Sequence, residues 1–348
     1  MQTATGDRRV IDTMARQLDL CRTAPGQAAA VLVDQATDPA MADAAVAALE
    51  QLGLSPTTVV VDDQPPGGGG AAGTPPEVIV SLLAERLEDF ESMIAPQAKV
   101  LSVVAPGPGE LQGVVPHPGL SRRVRRGLEL LDAGGELQVS STQGTNLSIA
   151  LQGARRWHHD GLAARPGTVA QWPRGVIGTA PAMGSANGTV VMAPGDIWLP
   201  LAWYARSTVT LTFEGGRMVG IEGPRSETDA VRAHLASLDN PSAYRFDAVE
   251  IGMLWIDQRR SPALFEPGLA ESFGVADRYG HVVIATGDDA TRGIACCLRN
   301  ATVAVDEVAA VRSGRPQGEL APDVYEQAAH RYPLDGDGLA RPSVREVS

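Results

Sequence analysis

Four residues in the second half of the chain have side chains suited to acid–base or metal chemistry. Glu250 and His281 supply a carboxyl and an imidazole, two groups that enzymes use to transfer protons. Cys296 and Cys297 add thiols, and thiolates are good ligands for zinc. The alternative is that His281 makes an ordinary hydrogen bond and that both cysteines pack as small apolar side chains. Adjacent residues of a strand point to opposite faces, which favours this alternative for the cysteines.

His158 and Asp160 form a further candidate site. Their H-x-D spacing is the one found in iron sites that use two histidines and one carboxylate. Such a site needs a second histidine from elsewhere, and the three-residue pattern is common by chance. The alternative interpretation is a solvated turn beside Trp157.

A glycine-rich segment, residues 184–189 (Gly-Ser-Ala-Asn-Gly-Thr), is a candidate for substrate binding. Its backbone N–H groups, together with Ser185 and Asn187, are suited to holding an anion or a carbonyl group. The same sequence is typical of a tight turn that joins two strands, for which Gly184 and Gly188 suffice. The two interpretations are compatible.

Composition excludes several classes of partner. The net charge of −12 argues against binding to a nucleic acid or to an anionic membrane. No apolar run is long enough to span a bilayer, and the N-terminus has no apolar core of a signal peptide. Three cysteines cannot form a disulfide framework. We therefore expect a reduced, cytoplasmic protein.

Common catalytic motifs are also missing from the sequence. There is no G-x-S-x-G nucleophile motif, and residues 107–113 lack the glycine spacing of a dinucleotide site. Lys99 is the only lysine, and it opens an apolar segment that is typical of a buried strand. A Schiff-base mechanism therefore has a single, poorly placed candidate.

The elements that must position these residues fall into three parts. The first alternates strands (29–33, 57–61, 100–104) with helices (39–52, 77–94 and one ending at Gly134), which predicts a parallel-sheet α/β domain over residues 1–134. Residues 135–314 contain short β-like segments, a Gly215-Gly216 hairpin and a capping-box-like helix start at Ser226, which predicts an α+β domain. Residues 315–348 form a segment rich in proline, glycine and charge.

Five segments support a resemblance to a known family. Residues 172–191 are the longest of them, and 184–189 match the family pattern at every position. The others are 144–147, 250–252, 280–287 and 302–306, with the pair 180–181 in register before the glycine-rich segment. Together they resemble the aminopeptidase T-like leucyl aminopeptidases and the related 2,5-dihydroxypyridine 5,6-dioxygenases. The resemblance implies an aminopeptidase T-like C-terminal domain, a cleft between the two domains and a homodimer.

The resemblance also implies a metal centre, most of which this chain has lost. Glu250 stands at one family ligand position, but Val176 replaces a glutamate and Val283 replaces a histidine. An H-x-D motif is missing from residues 292–298. Since valine has no donor atom, we expect a degenerate site without a metal cofactor. The alternative is a zinc or iron site rebuilt from Glu250, His281 and the adjacent cysteines.

Three functions remain open. The first is a small-molecule or modified-peptide tailoring enzyme of a specialised biosynthetic pathway, with Glu250 and His281 as the catalytic pair. In this hypothesis the substrate-binding residues are Asn146, His158, Ser185 and Asn187. The second is a catalytically inactive relative that binds a peptide or metabolite, or serves as a structural subunit. The third is a working metalloenzyme, either an aminopeptidase or a ring-cleaving Fe(II) dioxygenase. In each, the expected partner is a small molecule or peptide, with no nucleic acid or membrane.

Overall fold

The computed structural model describes residues 3–61, 75–83, 96–105, 107–111, 113–199, 201, 203–255, 277–288 and 290–331. The elements of the first part are α1 (Thr3–Leu20), β1 (Ala29–Val33), α2 (Pro39–Gln51), β2 (Pro56–Val60), β3 (Val78–Ser81), β4 (Lys99–Val103), α3 (Pro108–Leu111) and α4 (Pro118–Ala133). The next are β5 (Glu136–Ser140), β6 (Asn146–Ala150), β7 (Arg155–His159), β8 (Val169–Trp172), β9 (Val176–Ala180), β10 (Ala186–Met192), β11 (Ile197–Leu199) and β12 (Trp203–Tyr204). The last are β13 (Val209–Glu214), β14 (Arg217–Glu222), α5 (Arg225–Ser237), β15 (Phe246–Gly252), β16 (Val282–Gly287), β17 (Arg292–Leu298), β18 (Thr302–Val305), β19 (Val308–Arg312), β20 (Arg315–Pro316) and α6 (Val324–Arg331).

The described strands form three sheets. A five-stranded parallel sheet has the order β2-β1-β3-β4-β8. An eight-stranded sheet has the order β14-β13-β10-β6-β5-β18-β19-β20, and a seven-stranded sheet has the order β12-β11-β17-β16-β15-β9-β7. Strand pairing in these two larger sheets is antiparallel. The predicted α/β plus α+β architecture is therefore confirmed.

Local sequence explains the elements around the parallel sheet. Strand β1 is an apolar run with four of its five residues buried. Helix α2 begins after Asp38, whose carboxylate accepts a hydrogen bond from the N–H of Ala40 at 2.9 Å. This bond satisfies one of the N–H groups that a helix start leaves without a partner. Leu18 of α1 and Leu49 of α2 belong to the buried apolar cluster that also contains Val31 of the sheet.

The predicted helix over residues 77–94 is wrong in its first part. Residues 78–81 form strand β3, which lies between β1 and β4 and is buried at all four positions. The run Val-Ile-Val is β-branched, and a central position in a parallel sheet buries both faces of a strand. The helix-like spacing of apolar residues therefore does not predict the structure of residues 78–81. The rest of that prediction, 84–94, lies outside the described residues.

Strand β8 comes late in the chain but completes the parallel sheet. It pairs with β4 in the register Val100 to Val169 through Val103 to Trp172. Between α4 and β8 the chain has already contributed β5 and β6 to the eight-stranded sheet and β7 to the seven-stranded one. The predicted boundary at residue 134 remains a prediction.

The two antiparallel sheets share one apolar core. Val249 and Ile251 of β15 lie in the same buried cluster as Leu147 and Ile149 of β6 and Phe213 of β13. Side chains alternate along a strand, so the intervening residues of β15, β16 and β17 point away from this core. The seven-stranded sheet therefore has an inner face in the core and an outer face that carries different side chains.

Helix α4 contains the run Arg-Arg-Val-Arg-Arg at 122–126, a charge pattern that predicts a solvated helix face. Arg123 is 1% exposed, forms an ion pair with the equally buried Glu326 of α6, and donates a hydrogen bond to the carbonyl of Met253 at 2.6 Å. The neighbouring Arg122 and Arg126 are exposed, as predicted. The predicted exposure is wrong for Arg123, because this residue lies on the same side of the helix as the buried Gly127.

Helix α5 also differs in detail from its prediction. Its N-cap is Pro224, so Ser226 lies inside the first turn and does not cap the helix. Glu227 is buried and accepts hydrogen bonds from the N–H groups of Arg206 and Ser207. That carboxylate fixes the loop before the helix, and the capping box predicted from Ser226 and Asp229 does not begin this helix. In the described part of the chain, no helix is both long and apolar enough to cross a membrane.

Candidate functional site

A transverse row of side chains crosses the outer face of the seven-stranded sheet. Cross-strand pairing places one residue from each strand directly opposite the next. Because directly opposed residues point to the same side of a sheet, the whole row shares one face. In order from β7 to β12 the row is Trp157, Gly178, Glu250, Val283, Cys297, Ile197 and Tyr204.

Glu250 is held by the indole of Trp157. The Trp157 Nε1–H donates a hydrogen bond to Glu250 Oε1 at 3.1 Å. Gly178 lies between the two strands, and a Cβ at this position would overlap the indole ring. The absence of a side chain at position 178 therefore lets the indole lie flat across β9 and reach Glu250. The guanidinium of Arg155 lies 5.6 Å from the centre of the same indole ring.

The surroundings of Glu250 favour its neutral form. Burial raises the pKa of Glu250, and the negative charge of Asp277 adds to this, while Arg174 and the Trp157 hydrogen bond act in the opposite direction. Arg174 Nε is 2.8 Å from Asp277 Oδ1, which also accepts the N–H of Gly175 at 3.0 Å. Because Asp277 neutralises Arg174, the guanidinium does not cancel the effect of burial on the Glu250 carboxyl.

A second row lies beside the first and contains His159, Val176 and Gly252. Val176 is fully buried, so the position next to Glu250 along this face is filled by an apolar side chain. The pKa of His159 is lowered, first by burial and then by the positive charge of Arg174. His159 is consequently a neutral imidazole near neutral pH, able to accept or donate a hydrogen bond.

His281 lies one residue before β16. It is 7% exposed, its carbonyl accepts the N–H of Gly252 at 2.9 Å, and its Nδ1 is 3.5 Å from Cys297 Sγ. Burial raises the pKa of Cys297 to about 12. Cys296 lies in the apolar core on the opposite face, and burial raises its pKa as well. Both cysteines are thus protonated thiols, as the packing alternative predicts.

The predicted substrate-binding residues lie in other parts of the structure. Asn187 accepts the N–H of Gly215 at 2.8 Å, and Ser185 donates to the carbonyl of Ala182 at 2.8 Å, so both support turns. Asn146 is an exposed residue of β6 in the eight-stranded sheet. His158 is exposed and is paired with Ile177, which places it on the face opposite Trp157. Their role in binding a substrate stays a prediction.

Asp160 has a structural role that explains the H-x-D spacing. It accepts hydrogen bonds from Ser121 Oγ at 2.7 Å and from the N–H of Leu162 at 3.1 Å. The first bond ties the end of β7 to helix α4, and the second closes a turn. The alternative interpretation of a turn beside Trp157 therefore describes Asp160, whereas His158 belongs to strand β7.

Residues 77–318, more than half of the chain, match the family model described as NicX, 2,5-dihydroxypyridine 5,6-dioxygenase. The chain belongs to this dioxygenase family. A curated relative, the 2,5-dihydroxypyridine 5,6-dioxygenase of Pseudomonas putida KT2440, is 26% identical over 245 residues, which cover 68% of this chain and 69% of the relative. The suspected family is confirmed.

Two solved structures share the fold. The 2,5-dihydroxypyridine dioxygenase of Pseudomonas putida KT2440 has a TM-score of 0.72 and 23% identity, and the alignment covers 91% of this chain and 99% of that one. AmpT from Thermus thermophilus has a TM-score of 0.51 and 12% identity, with 89% and 99% of the two chains covered. These matches concern the fold, and they agree with the dioxygenase and aminopeptidase T-like architecture expected from the sequence.

The outer face does not offer a dioxygenase-type ligand set. Of the three family ligand positions inferred from sequence, 176 and 283 are buried valines and only Glu250 carries a donor atom. The oxygen of Glu250 that faces Trp157 already accepts a hydrogen bond. Throughout the described part of the chain, no three residues among His, Cys, Asp and Glu are grouped closely enough to hold a metal ion. The described residues of this face therefore do not provide the donor set of the iron centre that the family implies.

Sequence analysis missed three residues of this site. Trp157 was treated only as the neighbour of a turn, and Arg174 and Asp277 were not considered. Arg174 belongs to the longest family-like motif, residues 172–191, which is the one signal that pointed to it. The contact of Trp157 with Glu250 and that of Arg174 with Asp277 join residues 93 and 103 positions apart in the chain. Such pairs follow from sheet register, which local patterns do not encode.

Proposed function

We propose that this member of the dioxygenase family is an enzyme that transfers protons on a small cyclic substrate, with Glu250 as its acid–base group and without a metal at the family positions. The observation that carries the proposal is the Glu250 carboxyl itself. It is hydrogen-bonded to an indole and has a raised pKa. A raised pKa lets a carboxyl group hold its proton at a higher pH, and a group that can release and recover a proton can act as a general acid–base residue.

The substrate class follows from the surroundings of Glu250. The Trp157 indole is an aromatic group in contact with Glu250, the guanidinium of Arg155 lies 5.6 Å from the centre of its ring, and the positive charge of Arg174 acts on Glu250. A planar ring that carries hydroxyl or carbonyl groups suits such surroundings, because it stacks on aromatic surfaces and accepts hydrogen bonds from guanidinium groups. The substrate in the name of the Pseudomonas putida relative, 2,5-dihydroxypyridine, has this chemistry. We propose hydroxypyridines and the corresponding cyclic amides as the substrate class.

His281 is proposed as a positioning residue. Its backbone carbonyl holds Gly252 at the end of β15, and its ring contacts Cys297. In this arrangement His281 fixes the end of the strand that carries Glu250. The predicted pairing of Glu250 with His281 as two catalytic groups remains open, and the expected homodimer and cytoplasmic location remain proposals.

The first test is metal content. Protein purified without chelator or metal affinity is measured for iron and zinc, next to a Glu250→Ala variant, and oxygen consumption is recorded with 2,5-dihydroxypyridine and added Fe(II). We expect less than stoichiometric metal in both proteins and no oxygen consumption. Stoichiometric metal that is lost in the variant, together with oxygen uptake, would instead support the metalloenzyme alternative.

The second test is proton transfer itself. Exchange of ring C–H protons in D2O is followed by proton NMR for a panel of hydroxypyridines and cyclic amides. We expect exchange that is about a hundredfold slower with Glu250→Gln, in line with the loss of a general acid–base group. The matched control is Glu222→Gln on the distant strand β14, which should exchange at the wild-type rate. Binding without exchange in the wild type would support the catalytically inactive alternative, which the apolar Val176 and Val283 favour.

A further inference from the structure

The glycine-rich segment 184–189 forms one wall of a surface cavity that the Glu250 chemistry does not use. The cavity has a volume of about 170 Å³ and lies between the turn before β10, the β13–β14 hairpin and the start of β15. Pro181, Met183 and Phe246 provide apolar lining, and Arg217 and Arg245 provide two guanidinium groups. We propose that this cavity is a binding site for a compact apolar carboxylate, such as an aromatic monocarboxylate.

The two arginines are brought together by the backbone. Arg217, the first residue of β14, forms an isolated antiparallel bridge with Arg245 at the end of a 3-10 turn. Both residues line the cavity, in a chain whose net charge is −12. An anion bound there is attracted by both guanidinium groups. A carboxylate also accepts paired hydrogen bonds from guanidinium groups.

Two acidic side chains, Asp288 and Glu214, lie near the arginines of the cavity. Asp288 lies 3.3 Å from Arg245 Nη2, and both groups are partly exposed, so this ion pair is weak and occupies one of five guanidinium N–H groups. Glu214 is opposite Arg217 across the hairpin, and no ion pair joins the two among the described contacts. With Glu214 counted beside Asp288, the two acidic groups balance the two arginines in charge, so anion binding relies on guanidinium N–H groups that no ion pair occupies among the described contacts.

The rest of the lining selects an apolar body. Met183 is 84% exposed at the rim, and a methionine can adapt its flexible side chain to the shape of a ligand. Phe246 is packed edge-on against Phe213 with 5.4 Å between ring centres, so the floor of the cavity is fixed. The cavity is smaller than the roughly 300 Å³ at which drug-sized pockets begin. Its size and lining fit a single ring with one carboxylate.

The glycine-rich segment 184–189 forms one wall of the cavity and is held in place by hydrogen bonds to the β13–β14 hairpin. Asn187 accepts the N–H of Gly215, and Gly216 donates its N–H to the carbonyl of Ala186, so the motif and the hairpin are locked together. A Cβ at Gly216 would collide with the backbone of Gly184. These contacts preform the cavity, which lowers the entropic cost of binding a ligand there.

Calorimetric titration with benzoate tests the proposal, with benzamide and acetate as comparison ligands. Benzamide keeps the ring without the charge, and acetate keeps the charge without the ring. We expect benzoate to bind at least about tenfold more tightly than either, since a charged hydrogen bond and apolar burial each contribute that much. Equal affinity for benzoate and benzamide would overturn the anion assignment.

Substitutions test whether benzoate binds at this cavity or elsewhere on the protein. Arg217→Met and Arg245→Met should each weaken benzoate binding by about tenfold. Arg225→Met, an exposed arginine that is not part of the cavity, should bind as the wild type does. Glu250→Gln should also retain binding, so failure of the proposed acid–base function would not affect this result. Wild-type affinity in Arg217→Met, or loss of binding in Glu250→Gln, would contradict the site. A short peptide with an apolar C-terminal residue that binds more tightly than benzoate would show that the ligand is a chain terminus instead.

Discussion

The inner and outer faces of the seven-stranded sheet are built from alternate residues of the same strands, yet they differ in almost every respect. The inner face, with Val249 and Ile251, is continuous with the apolar core between the two antiparallel sheets. The outer face brings a carboxyl, imidazoles and an ion pair next to buried valines. Because successive side chains of a strand point to opposite faces of the sheet, two neighbouring residues can lie in these two different environments. Stability is therefore expected to depend on one face and chemistry on the other.

The largest effect on stability is expected from Ile251→Ala on the inner face. Ile251 is 2% exposed, and its truncation leaves a cavity in the shared core. We expect the free energy of unfolding to fall by about 2–5 kcal/mol. Urea denaturation monitored by circular dichroism measures this change, with the exposed Val219→Ala as a control that should be close to neutral. A loss below that of the control would contradict the inner face's structural role.

Gly178→Ala should have an intermediate effect, and it acts on the outer face. The added methyl group would overlap the Trp157 indole, so the ring must move away from Glu250. Overpacking of this kind costs about 1–3 kcal/mol. We expect a shift in tryptophan fluorescence that is absent when the same substitution is made in a Trp157→Phe background. An unchanged spectrum would mean that the indole does not lie across β9.

The adjacent cysteines allow a matched comparison of the two faces. Cys296→Ser places a hydroxyl in the apolar core, at a cost of about 1–3 kcal/mol. Cys297→Ser should cost less, because its hydroxyl can replace the thiol in the contact with His281. Thermal denaturation of the two variants measures the difference. Equal losses would show that the His281 contact does not compensate a polar group at position 297.

The smallest effect concerns the dependence of stability on pH. The pKa of Glu250 is raised in the folded protein above its ordinary value of 4.5, so the folded state holds this proton more tightly than the unfolded chain does. The contribution of Glu250 to stability is thus fully present below pH 4.5 and is lost as pH rises through the folded-state pKa. We expect Glu250→Gln to remove this loss. The free energy of unfolding of Glu250→Gln, relative to that of the wild type, should therefore increase as the pH rises from 4.5 through the folded-state pKa. Denaturation at several pH values measures this difference. A difference that stays constant with pH would contradict the raised pKa.

The sequence predicted an element correctly where its local pattern is compatible with only one type of secondary structure. The β-branched and apolar strands, the Gly215-Gly216 hairpin and helix α4 were predicted correctly. Residues 78–81 were assigned to a helix because a short, fully apolar run fits either structure until its neighbours are known. Arg123 was misplaced for a related reason, since only the arrival of Glu326 from α6 makes its burial tolerable.

The candidate site was predictable only in part. Glu250 and the valines at 176 and 283 could be identified by family resemblance, and the opposite orientation of the two cysteines follows from strand geometry. The contacts of Glu250 with Trp157, and of Arg174 with Asp277, depend on which strands and loops become neighbours. Sheet order and register decide that, and they are set by the whole chain.

Strand β8 makes the parallel sheet depend on the later part of the sequence. A fragment that ends at residue 134 would lack β8, and the N–H and C=O groups along that side of β4 would be left unpaired. Exposed sheet edges of this kind invite pairing with other chains and aggregation. During synthesis, the sheet likewise stays incomplete until residues 169–172 have left the ribosome. The parallel sheet is therefore one compact element of the fold, but a fragment that ends at residue 134 does not contain all of its strands.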